Sequence, residues 1–138
     1  MTVICVQQKG GTPKNMEENK MKKIELFETA KDSGKNFEEL GINRTLYWAY
    51  RKSQESGNEL IDFNECIWEY DIEPIVTALR EFKITEFTIS STFSSLIETL
   101  AAFEKFGCCM AGLTEVKASY TDHITGEAKV IPAIKMNL

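Results

Sequence analysis

DIEPIVTALREFKITEFTISSTFSSLIETLAAFEKFG, residues 71–107, decides the fold. Its first part places Ile72, Ile75, Val76, Leu79 and Phe82 at steps of three and four, the period of a helix buried along one face. The spacing predicts a helix over 72–83, with Asp71 as its cap and Pro74 in its first turn, where a missing N–H breaks no bond. The period then changes to two. Phe87 and Ile89 alternate with Glu86, Thr88 and Ser90, which predicts a strand over 86–90. Past Ser91 and Thr92, helical spacing returns through Phe93, Leu96, Ile97, Leu100, Ala101 and Phe103, predicting a largely buried helix over 93–106 that Gly107 ends. Ser95 and Glu98 have the spacing of a capping box.

The same signals continue on both sides. Upstream, Ile24, Phe27 and Ala30 mark a helix over 22–32, and residues 36–41 a short helical turn. Asn43 caps a helix over 44–56 that Gly57 stops, and Leu60–Asn64 reads as a strand. Downstream, 109–120 alternates as a strand. A polar turn around His123–Glu127 then returns the chain as a strand over 129–138, whose Pro132 suits a sheet edge. The expected fold class is therefore α/β: N-terminal helices followed by β-α-β-α-β-β. The expected sheet is small and mixed, with three parallel strands and an antiparallel C-terminal edge strand.

Two divisions of the chain are expected: a flexible tail over 1–20 and a single α/β domain over 21–138. Met16 and Met21 make the tail a candidate over-called start. Its VICVQQKGGTPKN resembles the beginning of ParA-type ATPases, where a strand enters a phosphate loop. Pro13 stands where a glycine must approach phosphate, however, and Asn15 where a hydroxyl must ligate magnesium. A tail is the better account.

Composition narrows the function classes. The 138 residues carry 16 Lys and Arg against 21 Asp and Glu, a net charge of −5. That balance disfavours a general grip on nucleic acid, and no apolar run is long enough to span a membrane. Cys5, Cys66, Cys108 and Cys109 form no C-x-x-C, and His123 is the single histidine, so no metal site, cofactor or catalytic residue is assigned. Four reduced thiols and a cytoplasmic location are expected.

Two candidate sites compete. On the 44–56 helix, Arg44, Tyr47, Trp48 and Arg51 fall on the side opposite Leu46, Ala49, Tyr50 and Ser53. Arg, Tyr and Trp are enriched in interface hot spots, so this face is a candidate partner surface. At the carboxyl ends of the strands lie Asp62, Asn64, Ser91 and Thr92, where open parallel sheets bind ligands.

GINRTLYWAYRKSQESGNELIDFNE (41–65) and ITEFTISSTFSSLIETLAAFEKFG (84–107) give the domain its character. In these stretches it resembles small uncharacterised α/β proteins of phages and conjugative elements of intestinal clostridia. The resemblance implies an accessory protein of a mobile element and carries over no functional residue. The expected function is non-enzymatic, through contact with a protein partner that the sequence does not name. The alternative is a small-ligand or enzymatic domain using the strand-end site. An exposed Trp48 without a pocket there would favour the first, and a polar cleft the second.

Overall fold

The computed structural model describes residues 21, 23–33, 37–65, 67–91, 94–121 and 123–138. The expected tail over 1–20, with its phosphate-loop look-alike, lies outside the described residues. Three helices come first: α1 (Glu25–Ser33), α2 (Phe37–Leu40) and α3 (Arg44–Ser56). Then follow β1 (Asp62–Phe63), α4 (Glu69–Glu81), β2 (Glu86–Ile89), α5 (Leu96–Lys105), β3 (Cys109–Thr121) and β4 (Ala128–Asn137). The architecture is α/β with a small mixed sheet.

The sheet order is β1-β2-β4-β3, and it corrects the expected topology. Only β1 and β2 pair in parallel, Asp62 opposite Thr88 and Phe63 opposite Ile89. β4 is antiparallel to both β2 and β3. Helical crossovers do give β3 the same sense as β2, but the β3–β4 hairpin inserts β4 between them. The C-terminal strand is therefore interior, and β3 holds the edge. Pro132 is nonetheless tolerated in β4, because β2 accompanies β4 only from Ile134 to Asn137. At Pro132 the sole neighbour is Glu115 of β3.

Local chemistry explains most boundaries. The Asn43 side chain accepts the Leu46 N–H at 3.0 Å, and Gly57 closes α3 at φ 78°, a left-handed conformation that costs glycine little. α4 begins earlier than its apolar period suggests. Pro74 consequently lies inside the helix, not in its first turn, and Asp71 is not the cap. Its carboxylate instead accepts the Thr45 hydroxyl at 3.1 Å, tying α4 to α3. α5 starts at Leu96, and Ser95 makes no side-chain cap bond, so the capping box does not form. Nor is α5 largely buried: Ile97 is exposed, and Thr99 and Phe103 are its buried residues.

Alternation in β1 and β2 separates two chemistries. Phe63, Phe87 and Phe103 form one buried aromatic cluster, with ring centroids 5.1–6.3 Å apart. Phe27 of α1 sets its ring edge-on to Tyr47, Tyr50 and Phe82, joining the first helix to α3 and the end of α4. The thiol expectation is corrected in part. Cys108 is free and buried, whereas Cys109 is disulfide-bonded; Cys5 and Cys66 lie outside the described residues. The argument from four free thiols to a reducing compartment does not stand. No helix of the described residues is long and apolar enough to cross a membrane.

A polar bracket holds α1 on α3. The Tyr50 hydroxyl donates to Glu28 Oε1 at 2.5 Å and accepts the Ile24 N–H at 3.3 Å, while Gln54 donates to both Glu28 and Tyr50 at 2.9 Å. Hydrogen bonds from Tyr50 and then Gln54 hold Glu28 down at about 2 instead of 4.5; burial and the Glu28 contact push Tyr50 up to about 12 from 10. A depressed acid stabilises above its unfolded value and loses that contribution as pH falls; a raised phenol stabilises below its unfolded value and loses it as pH rises. Stability should thus fall between pH 4.5 and about 2 through Glu28, and between pH 10 and about 12 through Tyr50. Glu28→Gln is expected to flatten the acid limb of a melting-midpoint profile and leave most of the alkaline limb in place.

Candidate functional site

Asp62 and Asn64, on the polar face of the β1–β2 pair, line the floor of a cleft. Asp62, Asn64, Thr88 and Ser90 share that face because residues two apart along neighbouring parallel strands point the same way. Thr88 Oγ1 donates to Asp62 Oδ1 at 2.7 Å and Ser90 Oγ to Oδ2 at 2.5 Å; the Asn64 amide donates to Ser90 Oγ at 2.9 Å. Behind them, Ser53 of α3 accepts the Asp62 N–H at 2.8 Å, which fixes the helix against the open side of β1. Asp62 is 8% exposed. Burial pushes its carboxyl above the ordinary carboxylate range, and the hydroxyls of Ser90 and Thr88 oppose that rise.

α3 forms one wall. Arg44, Thr45, Trp48, Ala49, Lys52, Ser53 and Ser56 recur at helical spacing along the cleft, whose volume is about 380 Å³. Trp68, just before α4, stands at the mouth, and Lys117 and Ala118 of β3 close the far side. β3 reaches across through one clasp. Lys117 donates its main-chain N–H to the Asn58 side-chain oxygen at 2.8 Å, and the Asn58 amide donates back to the Lys117 carbonyl at 2.9 Å.

The two sites that compete in the sequence meet in this one cleft. Arg44 and Trp48 of the expected partner face line it together with Asp62 and Asn64 of the expected strand-end site. The other named residues lie elsewhere. Tyr47 is 3% exposed and packs on Phe27 and Phe37, so it belongs to the core and not to an open face. Arg51 turns away from the cleft to donate to the Tyr47 hydroxyl at 2.9 Å and to face Glu55 at 3.7 Å. Ser91 is buried outside the lining, and Thr92 lies outside the described residues. His123 is exposed in its turn, away from the cleft.

The cleft is more cationic than the acidic chain around it. Lys52 is engaged with Glu65, but Arg44 and Lys117 have no carboxylate partner among the described residues. Trp48 is 44% exposed and Trp68 61%. Sequence reasoning missed Lys117, Asn58 and Trp68 as lining residues, since they come from separated segments. Thr88 and Ser90 were legible through their period of two with Phe87 and Ile89. No group of three His, Cys, Asp or Glu among the described residues is placed to hold a metal.

Asp62 also offers a test of what the floor is for. A carboxyl raised by burial favours the fold at low pH and loses that favour as pH climbs through its folded value. Asp62→Asn is therefore expected to keep or raise the melting midpoint at pH 7. Asp62→Ala should lose about 1–3 kcal/mol by leaving Thr88 and Ser90 without their acceptor.

The chain belongs to the family described as Domain of unknown function (DUF7698), whose profile matches residues 45–138. That span holds every lining residue of the cleft except Arg44. No curated protein and no solved structure matches the chain.

Proposed function

We propose that this member of the DUF7698 family is a ligand-binding module whose cleft, at the carboxyl end of β1, receives a small anion-bearing molecule. One observation carries the reading: a cleft of about 380 Å³ lined by two exposed indoles and by Arg44 and Lys117, which have no carboxylate partner among the described residues, on a chain of net charge −5. Volume and lining are those of a small-molecule site, where apolar walls supply contact and a few polar groups set orientation. Unpaired cations in a concave surface concentrate anions. The role is binding, with Arg44 as the anion contact, Trp48 and Trp68 as the walls, and Lys117 beside Gly57 at the other end of α3.

A thermal-shift screen of the full chain against phosphosugars, nucleotides and di- and tricarboxylates tests this. At least one class should raise the midpoint, and Arg44→Ala should abolish the rise. A screen without any such shift overturns the reading.

Exposure of Trp48 and Trp68 favours a second reading, in which the same face holds an acidic segment of a protein partner. Indoles beside arginine are the usual centres of such interfaces. An accessory role on a phage or conjugative element, which the resemblance implies, is compatible with either occupant. A pull-down from cell extract that is lost with Trp48→Ala, alongside a blank small-molecule screen, would select the protein partner.

A further inference from the structure

We infer that the occupant of the cleft is a nucleoside monophosphate, its base against the Trp48 and Trp68 indoles and its phosphate facing Arg44. This rests on the reading of the cleft as a small-anion site and names the class of anion. The Trp48 indole is braced from behind. Trp48 meets Phe37 edge-on at 6.1 Å and Tyr47 at 5.4 Å, while Trp68 lies parallel to Tyr70, 6.5 Å away with a 6° tilt. An exposed ring that is already held loses little freedom when a second flat ring stacks on it, so Trp48 is a platform for a planar group.

The polar groups suit the rest of such a molecule. The Arg44 guanidinium presents a planar fork that matches phosphate oxygens. Asn64 spends its amide on Ser90, which leaves its side-chain oxygen to accept from the edge of a base. A free mononucleotide fits better than a nucleic-acid strand. An extended strand needs a track of cations, whereas this chain carries a net charge of −5.

The chain has two tryptophans and both line the cleft, so its intrinsic fluorescence reports that site. The experiment titrates the full chain at low salt with UMP, AMP, uridine, ribose 5-phosphate and a ten-residue oligothymidylate, following heat and indole emission. UMP or AMP should quench the emission and bind roughly thirty-fold tighter than ribose 5-phosphate, the worth of one stacked base. Arg44→Ala should reduce the nucleotide to the level of uridine while circular dichroism stays unchanged. Ribose 5-phosphate binding as tightly as the nucleotides, without quenching, overturns the base platform yet keeps the anion cleft. Carboxylates binding where no nucleotide does has the same meaning. An oligothymidylate that outbinds UMP in excess of its number of bases overturns the free nucleotide in favour of a strand. If no anion of the wider screen binds, the cleft reading itself falls.

Discussion

Phe103→Ala is expected to cost about 3–5 kcal/mol of folding stability, the largest effect of any substitution considered. Phe103 is the buried ring through which α5 reaches Phe63 and Phe87, at centroid distances of 6.3 and 5.1 Å. Removing it leaves a cavity between a short helix and two short strands, none of which has other means to close it. The penalty is a large share of the 5–15 kcal/mol typical of whole domains. A thermal midpoint lowered by about 10–20 °C is the measurable form for a domain of this size. Phe103→Leu should recover most of the loss, because volume rather than ring chemistry fills the space. An unchanged midpoint for Phe103→Ala would mean that α5 does not anchor the sheet.

Trp48→Ala separates fold from function. The indole is 44% exposed and touches Phe37 and Tyr47 from outside the buried cluster, so the fold should survive with a loss under about 1.5 kcal/mol. Binding is expected to weaken roughly thirty-fold or more, since truncating a central aromatic contact commonly costs about 2 kcal/mol. Calorimetry on a mutant with native circular dichroism reads both quantities at once. A mutant that unfolds would place Trp48 in the core, and one that binds as well as the parent would remove the indole from the site.

Much of this was legible in the sequence wherever a local rule decides. Asn43 and Gly57 bound α3 as capping chemistry requires, and the period of Ile72, Ile75, Val76 and Leu79 marks the buried face of α4. What was not legible is the order of strands, because the insertion of β4 between β2 and β3 depends on a hairpin folding back, which no local pattern encodes. Helix faces carried the same ambiguity. Tyr47 sits next to Trp48 and in step with Arg44, and only the position of Phe27 and Phe37 buries one and leaves the other at the surface. The cleft escaped detection as a unit for a similar reason. Asn58 and Lys117, the residues that close it, are 59 positions apart.

The Asn58 clasp bears on how the molecule stays clear of its own copies. Beyond Ile89, the β3–β4 hairpin projects past β2 with two open sides, each able in principle to recruit a further strand and begin aggregation. In an antiparallel ladder, alternate residues turn both main-chain groups outward. Lys117 is such a residue, and Asn58 occupies its outward donor and acceptor as a strand one residue long would. Two positions back, the Glu115–Pro132 pair follows the same alternation, so on the opposite side the outward position of β4 falls to a residue with no N–H to offer. One side of the projecting ribbon is thus blocked by a borrowed side chain and the other by a missing hydrogen. The arm that completes the cleft can stand out from the sheet without acting as a template.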